Sequence, residues 1–132
     1  MDKLPLTSLA SLLVLAVFLW TLVLVSRART KYAVAAPAVT GDPVFERCFR
    51  VQMNTIEQMV LLFPALWISA FWVGDQFAAI GAVVWSVGRV IYGLTYVADP
   101  KKRSAGFFLT ITPTFILWGA AGYYVIKSLI PS

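Results

Sequence analysis

A ladder of polar side chains interrupts one apolar segment of this chain. Arg47, Arg50, Asn54 and Glu57 recur every three or four residues, just ahead of the apolar run 60–63. At about 100° per residue, these side chains fall within one sector of a helix. Arginine can bind a carboxylate through two parallel hydrogen bonds, and glutamate can bind an ammonium. Asparagine can donate to and accept from a peptide group. The ladder therefore indicates either a site for a zwitterionic solute or a polar network between helices that sets the register of a bundle.

A second set of polar residues follows in a later apolar segment. Arg89, Tyr92 and Tyr96 are spaced three and then four residues apart, so they share one helix face. Tyrosines also collect at membrane interfaces as belt residues, which is the alternative reading of this stripe. Arg103 stands at the predicted start of the next helix. It is either a membrane anchor or a cation that stabilises a bound anion such as a thiolate, helped by the helix N-terminus.

The composition excludes several kinds of chemistry. The chain has no histidine and one cysteine, Cys48. An intramolecular disulfide is impossible, and a Ser–His or Cys–His mechanism is excluded. The commonest metal ligand is missing as well, so no metal site is predicted.

The apolar residues predict an integral membrane protein. Of the 132 residues, 60% are hydrophobic, against about 45–50% in a typical soluble domain. They are gathered into runs long enough to cross a bilayer. Pro37, Gly41, the tight turn 73–76 and the segment 99–103 separate these runs, whereas Pro64 and Pro113 are expected inside helices. The prediction is an all-α integral membrane four-helix bundle, a single domain over 1–132 with spans at about 4–26, 44–72, 77–97 and 104–130.

The basic residues predict the orientation of this bundle. The net charge is +5, and most of the cations lie in the first and third loops. Cytoplasmic loops carry an excess of Lys and Arg, so we expect both loops in the cytoplasm and both termini on the opposite side. This explanation of the charge needs no nucleic-acid partner. The membrane is expected to be either a bacterial inner membrane or the endoplasmic reticulum.

Two motifs carry a family resemblance. The string 45–57, FERCFRVQMNTIE, resembles the signature of the membrane-associated proteins in eicosanoid and glutathione metabolism, the MAPEG family, with Glu-Arg, then Asn, then Glu three residues on. The segment 88–106, from GRVIY through DPKKRSAG, is similar to the branch of that family that includes microsomal glutathione transferase type 3 and leukotriene C4 synthase. Their matching separation makes the resemblance specific.

The resemblance implies a subunit of a homotrimer that binds glutathione near the cytoplasmic side, in the cleft between neighbouring subunits. Arg103 matches the arginine thought to stabilise the glutathione thiolate. The positions that match glutathione-binding residues are Arg29, Arg50, Gln52, Asn54, Glu57, Arg89, Tyr92 and Tyr96. Two positions depart from the leukotriene synthase pattern: Gln58 stands in place of a tyrosine, and Thr30 in place of a second arginine.

The expected function is that of a membrane-bound glutathione transferase. Glutathione would be the co-substrate, without a metal, and its thiolate would be conjugated to lipophilic electrophiles from the lipid bilayer. Peroxidase activity on a lipid hydroperoxide is a further possibility. One alternative is a non-catalytic, lipid-binding member of the same family. The other is a small four-helix multidrug exporter that uses Glu57 as its proton-coupled acid, although such an acid is expected in the first span, and 4–25 contains none.

Overall fold

The computed structural model describes residues 3–132 and consists of four long helices. They are α1 (Pro5–Tyr32), α2 (Pro43–Trp72), α3 (Asp75–Ala98) and α4 (Ser104–Leu129), with a short 3₁₀ turn at Pro100–Lys102. Each of the four is long and apolar enough to cross a membrane. The predicted all-α four-helix fold is therefore confirmed. Residues 1 and 2 of the predicted domain lie outside the described residues.

The core of the bundle is apolar, and so is much of its outer surface. Trp85, Leu62, Leu66 and Leu117 are almost completely buried where the helices meet, and α3 packs on each of the other three helices. Many large apolar side chains point outward, among them Leu9, Val60, Phe115 and Trp118. A soluble monomer rarely exposes so much contiguous apolar surface, whereas a bilayer requires it.

Helix α1 extends beyond the predicted span. The basic segment 27–31 was expected to follow the span, but it continues the helix to Tyr32. Arginine, alanine and lysine are good helix formers, and cations are favourable at a helix C-terminus. The helix ends at Ala33, which has a left-handed backbone with φ of 54°. At the start of α2, the Asp42 carboxylate accepts hydrogen bonds from the amides of residues 44 and 45.

The predicted tight turn at 73–76 is shorter in the structure, because Asp75 and Gln76 already belong to α3. The Asp75 carboxylate accepts hydrogen bonds from the amides of Leu6 at 3.0 Å and Thr7 at 2.7 Å, in the first turn of α1. The Thr7 hydroxyl donates to the Asp75 carbonyl at 3.2 Å. Leu4, the residue before α1, provides no side-chain cap. A residue of α3 therefore caps the N-terminus of α1 and joins the starts of the two helices.

Because α1 and α3 start together, their C-terminal ends also lie at one end of the bundle. This end, here called the basic end, carries the cations of both loops, which are Arg27, Arg29, Lys31, Lys101, Lys102 and Arg103. Arg47 also lies near this end, in the second turn of α2.

Glycines bring α3 and α4 into close contact. A Cβ atom on Gly106 would collide with the backbone of Tyr92, and one on Gly88 would lie 2.8 Å from the carbonyl carbon of Leu109. Small residues allow this approach between membrane helices, where packing rather than the hydrophobic effect drives association. Pro64 and Pro113 lie inside α2 and α4 without ending them.

Replacing Asp75 with alanine should destabilise the bundle, because two amides of α1 lose their acceptor. We expect a lower free energy of unfolding, as for the loss of other helix caps. Thermal denaturation in detergent, followed by tryptophan fluorescence, would measure it. Asp75→Asn keeps a side-chain oxygen and should retain most of the stability. Equal stability of the alanine variant and the wild type would refute the cap.

Replacing Gly106 with alanine should be more damaging, because the added methyl group has no room beside Tyr92. Overpacking of this kind costs about 1–3 kcal/mol. The matched control is Gly119→Ala on the same helix, where a Cβ atom has no neighbour within 4 Å among residues 3–132 and alanine is the better helix former. The melting temperatures should separate the two variants. If both melt like the wild type, the helices are less tightly packed at Gly106 than described.

Candidate functional site

A polar pocket of about 600 Å³ opens between α2, α3 and α4 towards the basic end. Ligand pockets typically measure about 300–1,000 Å³. The structure brings together here seven of the nine residues predicted to form the site: Arg50, Asn54, Glu57, Arg89, Tyr92, Tyr96 and Arg103. Three of the four ladder residues on α2 and the three-residue stripe on α3 therefore face the same space.

Hydrogen bonding and ring stacking build the inner wall of this pocket. The Asn54 side-chain amide donates to the Tyr92 hydroxyl at 2.7 Å, which joins α2 to α3. The rings of Tyr92 and Tyr96 stack with their centroids 5.5 Å apart. Tyr92 is only 4% exposed, so it is not a lipid-facing belt residue. Its hydroxyl and the Asn54 amide lie at defined positions before any ligand binds.

Arg89 lies behind this wall and is 1% exposed. Its Nη2 donates to the Thr55 hydroxyl at 3.0 Å, and its Cζ lies 4.1 Å from the centroid of the Tyr92 ring. Its Nε has no hydrogen-bond partner among residues 3–132. Burying a charge is costly unless it is paired, and a cation over an aromatic face recovers part of that cost. The guanidinium thus adds positive charge directly behind Tyr92.

The mouth of the pocket carries exposed charged groups. Arg50 and Glu57 reach it from α2, and Arg103 reaches it from the residue before α4. The first amides of α4 lie beside Arg103 and add partial positive charge. The mouth can therefore bind both a carboxylate and an ammonium, with a cation left to stabilise an anion.

Four further residues that were not predicted as ligands line the pocket: Gln58, Ser104, Phe107 and Phe108. Gln58 had been noted only as a departure from the leukotriene synthase pattern. Its Oε1 is buried without a hydrogen-bond partner in the described part of the chain. Phe107 follows Arg103 by one helical turn, and this spacing could have identified it. The two phenylalanines give the pocket an apolar wall.

Two predicted residues do not join this pocket within the chain. Arg29 turns to the first loop, where its Nη1 donates to the carbonyl of Ala38 at 2.7 Å and to that of Val34 at 3.3 Å. Its Cζ lies 4.8 Å from the ring centroid of Phe45. Gln52 lies about 200° around α2 from Arg50, which turns it to another face. The structure therefore does not place Gln52 in the polar pocket of its own subunit.

Two other residues near the ladder do not line the pocket. Arg47 lines an adjoining cavity of about 290 Å³ together with Glu46 and part of the first loop. Its Nε is buried, with no partner among the residues that the structure describes. Cys48 is buried in the apolar cluster around Phe45. Within residues 3–132 there is no group of three or more His, Cys, Asp or Glu side chains that could hold a metal ion.

Comparison with known proteins gives a family match and several similar relatives. Residues 7–123 match the model of the MAPEG family. The uncharacterized protein sll1147 of Synechocystis sp. is 41% identical over 111 residues, covering 84% of this chain and 78% of that protein. Human microsomal glutathione S-transferase 2 is 40% identical over 100 residues, covering 74% of this chain and 68% of that protein. Leukotriene C4 synthase of Cavia porcellus is 28% identical over 108 residues, covering 82% of this chain and 72% of that protein.

The family match spans most of the chain, and the four apolar helices suit a bilayer. The chain therefore belongs to the MAPEG family and is an integral, multi-pass membrane protein.

Proposed function

We propose that this protein is a membrane-bound glutathione transferase that conjugates the thiolate of glutathione to lipophilic electrophiles. The observation that carries the proposal is the polar pocket. It combines two exposed cations, a carboxylate, an amide and two phenols with an apolar wall of phenylalanines. Relatives named microsomal glutathione S-transferase 2 and leukotriene C4 synthase support the same reaction class.

The chemistry of the pocket suits glutathione, which has two carboxylates, one ammonium, two peptide groups and a thiol. Arg50 would bind a carboxylate and Glu57 the ammonium. Asn54 and Tyr96 offer hydrogen bonds to the peptide groups. Arg89 would act from behind Tyr92, holding that ring in position through its cation–π contact. Together these contacts would fix the orientation of the thiol.

Arg103 is the proposed catalytic residue. Its guanidinium and the N-terminus of α4 would stabilise the thiolate, and one such electrostatic contact supplies about 2–4 kcal/mol. The thiol proton passes to water. The thiolate then attacks the electrophilic carbon, and a sulfur–carbon bond forms as the leaving group departs with its electron pair. The bilayer concentrates lipophilic substrates beside the pocket, which favours their encounter with the thiolate.

The proposed active form is a homotrimer with the basic end in the cytoplasm, in a bacterial inner membrane or the endoplasmic reticulum. The MAPEG resemblance implies that glutathione binds between neighbouring subunits. Arg29 and Gln52 do not face the pocket of their own chain, so they would contribute to the site of an adjacent subunit. The broad apolar outer faces of the helices provide surface for such contacts.

Arg103 and the family match separate the proposal from the two alternative functions. A non-catalytic, lipid-binding member has no need for a thiolate-stabilising cation at its mouth, where Arg103 lies. A proton-coupled exporter is disfavoured by membership of the MAPEG family. Glutathione-dependent turnover of an aryl halide by the purified protein in detergent would separate the proposal from both alternatives. A lipid hydroperoxide in the same assay would test for peroxidase activity.

Replacing Arg103 with alanine should remove the thiolate absorbance of bound glutathione and leave most of its affinity. Loss of one such stabilising contact lowers turnover by about 10²–10³-fold. Ultraviolet difference spectra with glutathione, together with aryl halide kinetics, would measure both effects. Lys102→Ala is the matched control, because it removes an exposed neighbouring cation that does not line the pocket. Normal thiolate formation by the Arg103 variant would leave that residue only an anchoring role.

Replacing Glu57 with glutamine should weaken glutathione binding itself, because the ammonium of the ligand loses its counter-charge. We expect at least a tenfold rise in the dissociation constant, measured by calorimetry in detergent, in line with about 1.5–3 kcal/mol for a charge-assisted hydrogen bond. Glu46→Gln is the control, since that carboxylate lies outside the polar pocket. Equal effects of the two substitutions would contradict a specific role for Glu57.

A further inference from the structure

Thr55 follows Asn54 on α2, is 0% exposed and does not line the polar pocket. Its hydroxyl donates to the carbonyl of Val51, one turn earlier in the same helix, at 2.7 Å. The same oxygen accepts a hydrogen bond from Nη2 of Arg89 on α3 at 3.0 Å. Because a hydroxyl has one hydrogen, and this one is donated to Val51, the oxygen can meet Arg89 only as an acceptor. Thr55 therefore offers a fixed acceptor to a buried guanidinium.

This acceptor matters because Arg89 is otherwise poorly paired. Its Nε has no hydrogen-bond partner within residues 3–132, and the side chain is 1% exposed. Its other close contact is with the ring of Tyr92, whose centroid lies 4.1 Å from Cζ. Without the Thr55 hydroxyl, Nη2 would lose its acceptor as well, and a buried N–H without a partner is costly. We therefore expect the guanidinium to shift when this hydroxyl is removed.

Two consecutive residues of α2 thus act on the Tyr92 side chain. Asn54 donates to its hydroxyl at 2.7 Å, whereas Thr55 acts on its ring through Arg89. Arg89 and Tyr92 are three residues apart on α3, so their side chains are neighbours on one helix face. A shift of the guanidinium would remove the support of the ring and move the hydroxyl that Asn54 contacts.

We propose that Thr55 is a positioning residue for the binding of glutathione. Its hydroxyl holds Arg89 behind Tyr92 and thereby fixes the inner wall of the polar pocket, although Thr55 itself lies outside that pocket. The proposal rests on the proposed function, because it assigns Thr55 a part in binding the co-substrate named there.

The test is the dissociation constant of glutathione, measured by calorimetry with the full-length protein in detergent. Thr55→Val removes the acceptor and should raise this constant about five- to tenfold, within the range for coupled neighbouring residues. Thr55→Ser keeps a hydroxyl and should bind within about twofold of the wild type. Thr55→Ala should resemble the valine variant, and it protects the test against misfolding of that variant.

Thr110→Val is the matched control for effects on stability alone. Thr110 on α4 is also 0% exposed, and its hydroxyl also donates one turn back, to the carbonyl of Gly106 at 2.8 Å. It lies outside the pocket. Its replacement should leave the affinity for glutathione unchanged. If Thr110→Val weakens binding as much as Thr55→Val, the hydroxyl of Thr55 has no specific role and the proposal is wrong.

A double-mutant cycle with Arg89→Met tests whether Thr55 acts through the arginine. In that background, Thr55→Val should change the dissociation constant less than about twofold, because no guanidinium is left to hold. Additive effects of the two substitutions, or wild-type binding by Thr55→Val, would contradict the positioning role while leaving the proposed function intact. If the wild type does not bind glutathione, the proposed function itself fails, and the role of Thr55 fails with it.

Discussion

The close crossing of α3 and α4 is the contact on which the site depends. Gly106 lies against the backbone of Tyr92 with no room for a methyl group, and Gly88 lies against Leu109 in the same way. Arg103 precedes Gly106 by three residues, so this crossing determines which part of α3 it faces. The same pair of helices also borders an apolar groove of about 380 Å³ further along their length. One backbone approach thus sets the distance between Arg103 and the tyrosine stripe.

The residues of the pocket differ in burial, from its inner wall to its mouth. Arg89 and Tyr92 are almost fully buried, and Tyr92 is held by the Asn54 amide, the Arg89 guanidinium and the backbone of Gly106. Arg50, Glu57 and Arg103 are exposed at the mouth. A ligand would therefore meet an ordered inner wall and adaptable charged groups at the rim. Preorganised dipoles of this kind cost no rearrangement when charge develops. The Nε of Arg89 has no hydrogen-bond partner within residues 3–132, which is part of the energetic cost of the arrangement.

Much of the fold and of the pocket could be predicted from the sequence, and the failures have physical causes. The number of helices followed from apolar runs bounded by breakers. Six pocket residues could be predicted because helical periodicity places Arg50, Asn54 and Glu57 on one face, and Arg89, Tyr92 and Tyr96 on another. The contacts of Arg29 within its own chain could not be predicted, because a long side chain at a helix end can reach several partners, and here these are loop carbonyls and the Phe45 ring. Asp75 looked like a turn residue, since its partners in α1 are 68 and 69 positions away in the sequence.

By itself, the sequence determined the class of the protein, its helices and the residue types of its site, because composition and periodicity are local properties that a linear chain displays. Only the tertiary structure decided which faces meet. It paired Asn54 with Tyr92, buried Arg89 behind that ring and left Arg29 and Gln52 outside the pocket. These relations depend on how closely and at what rotation the helices pack. Interlocking side chains and glycines on different helices set that geometry together, and no single segment encodes it.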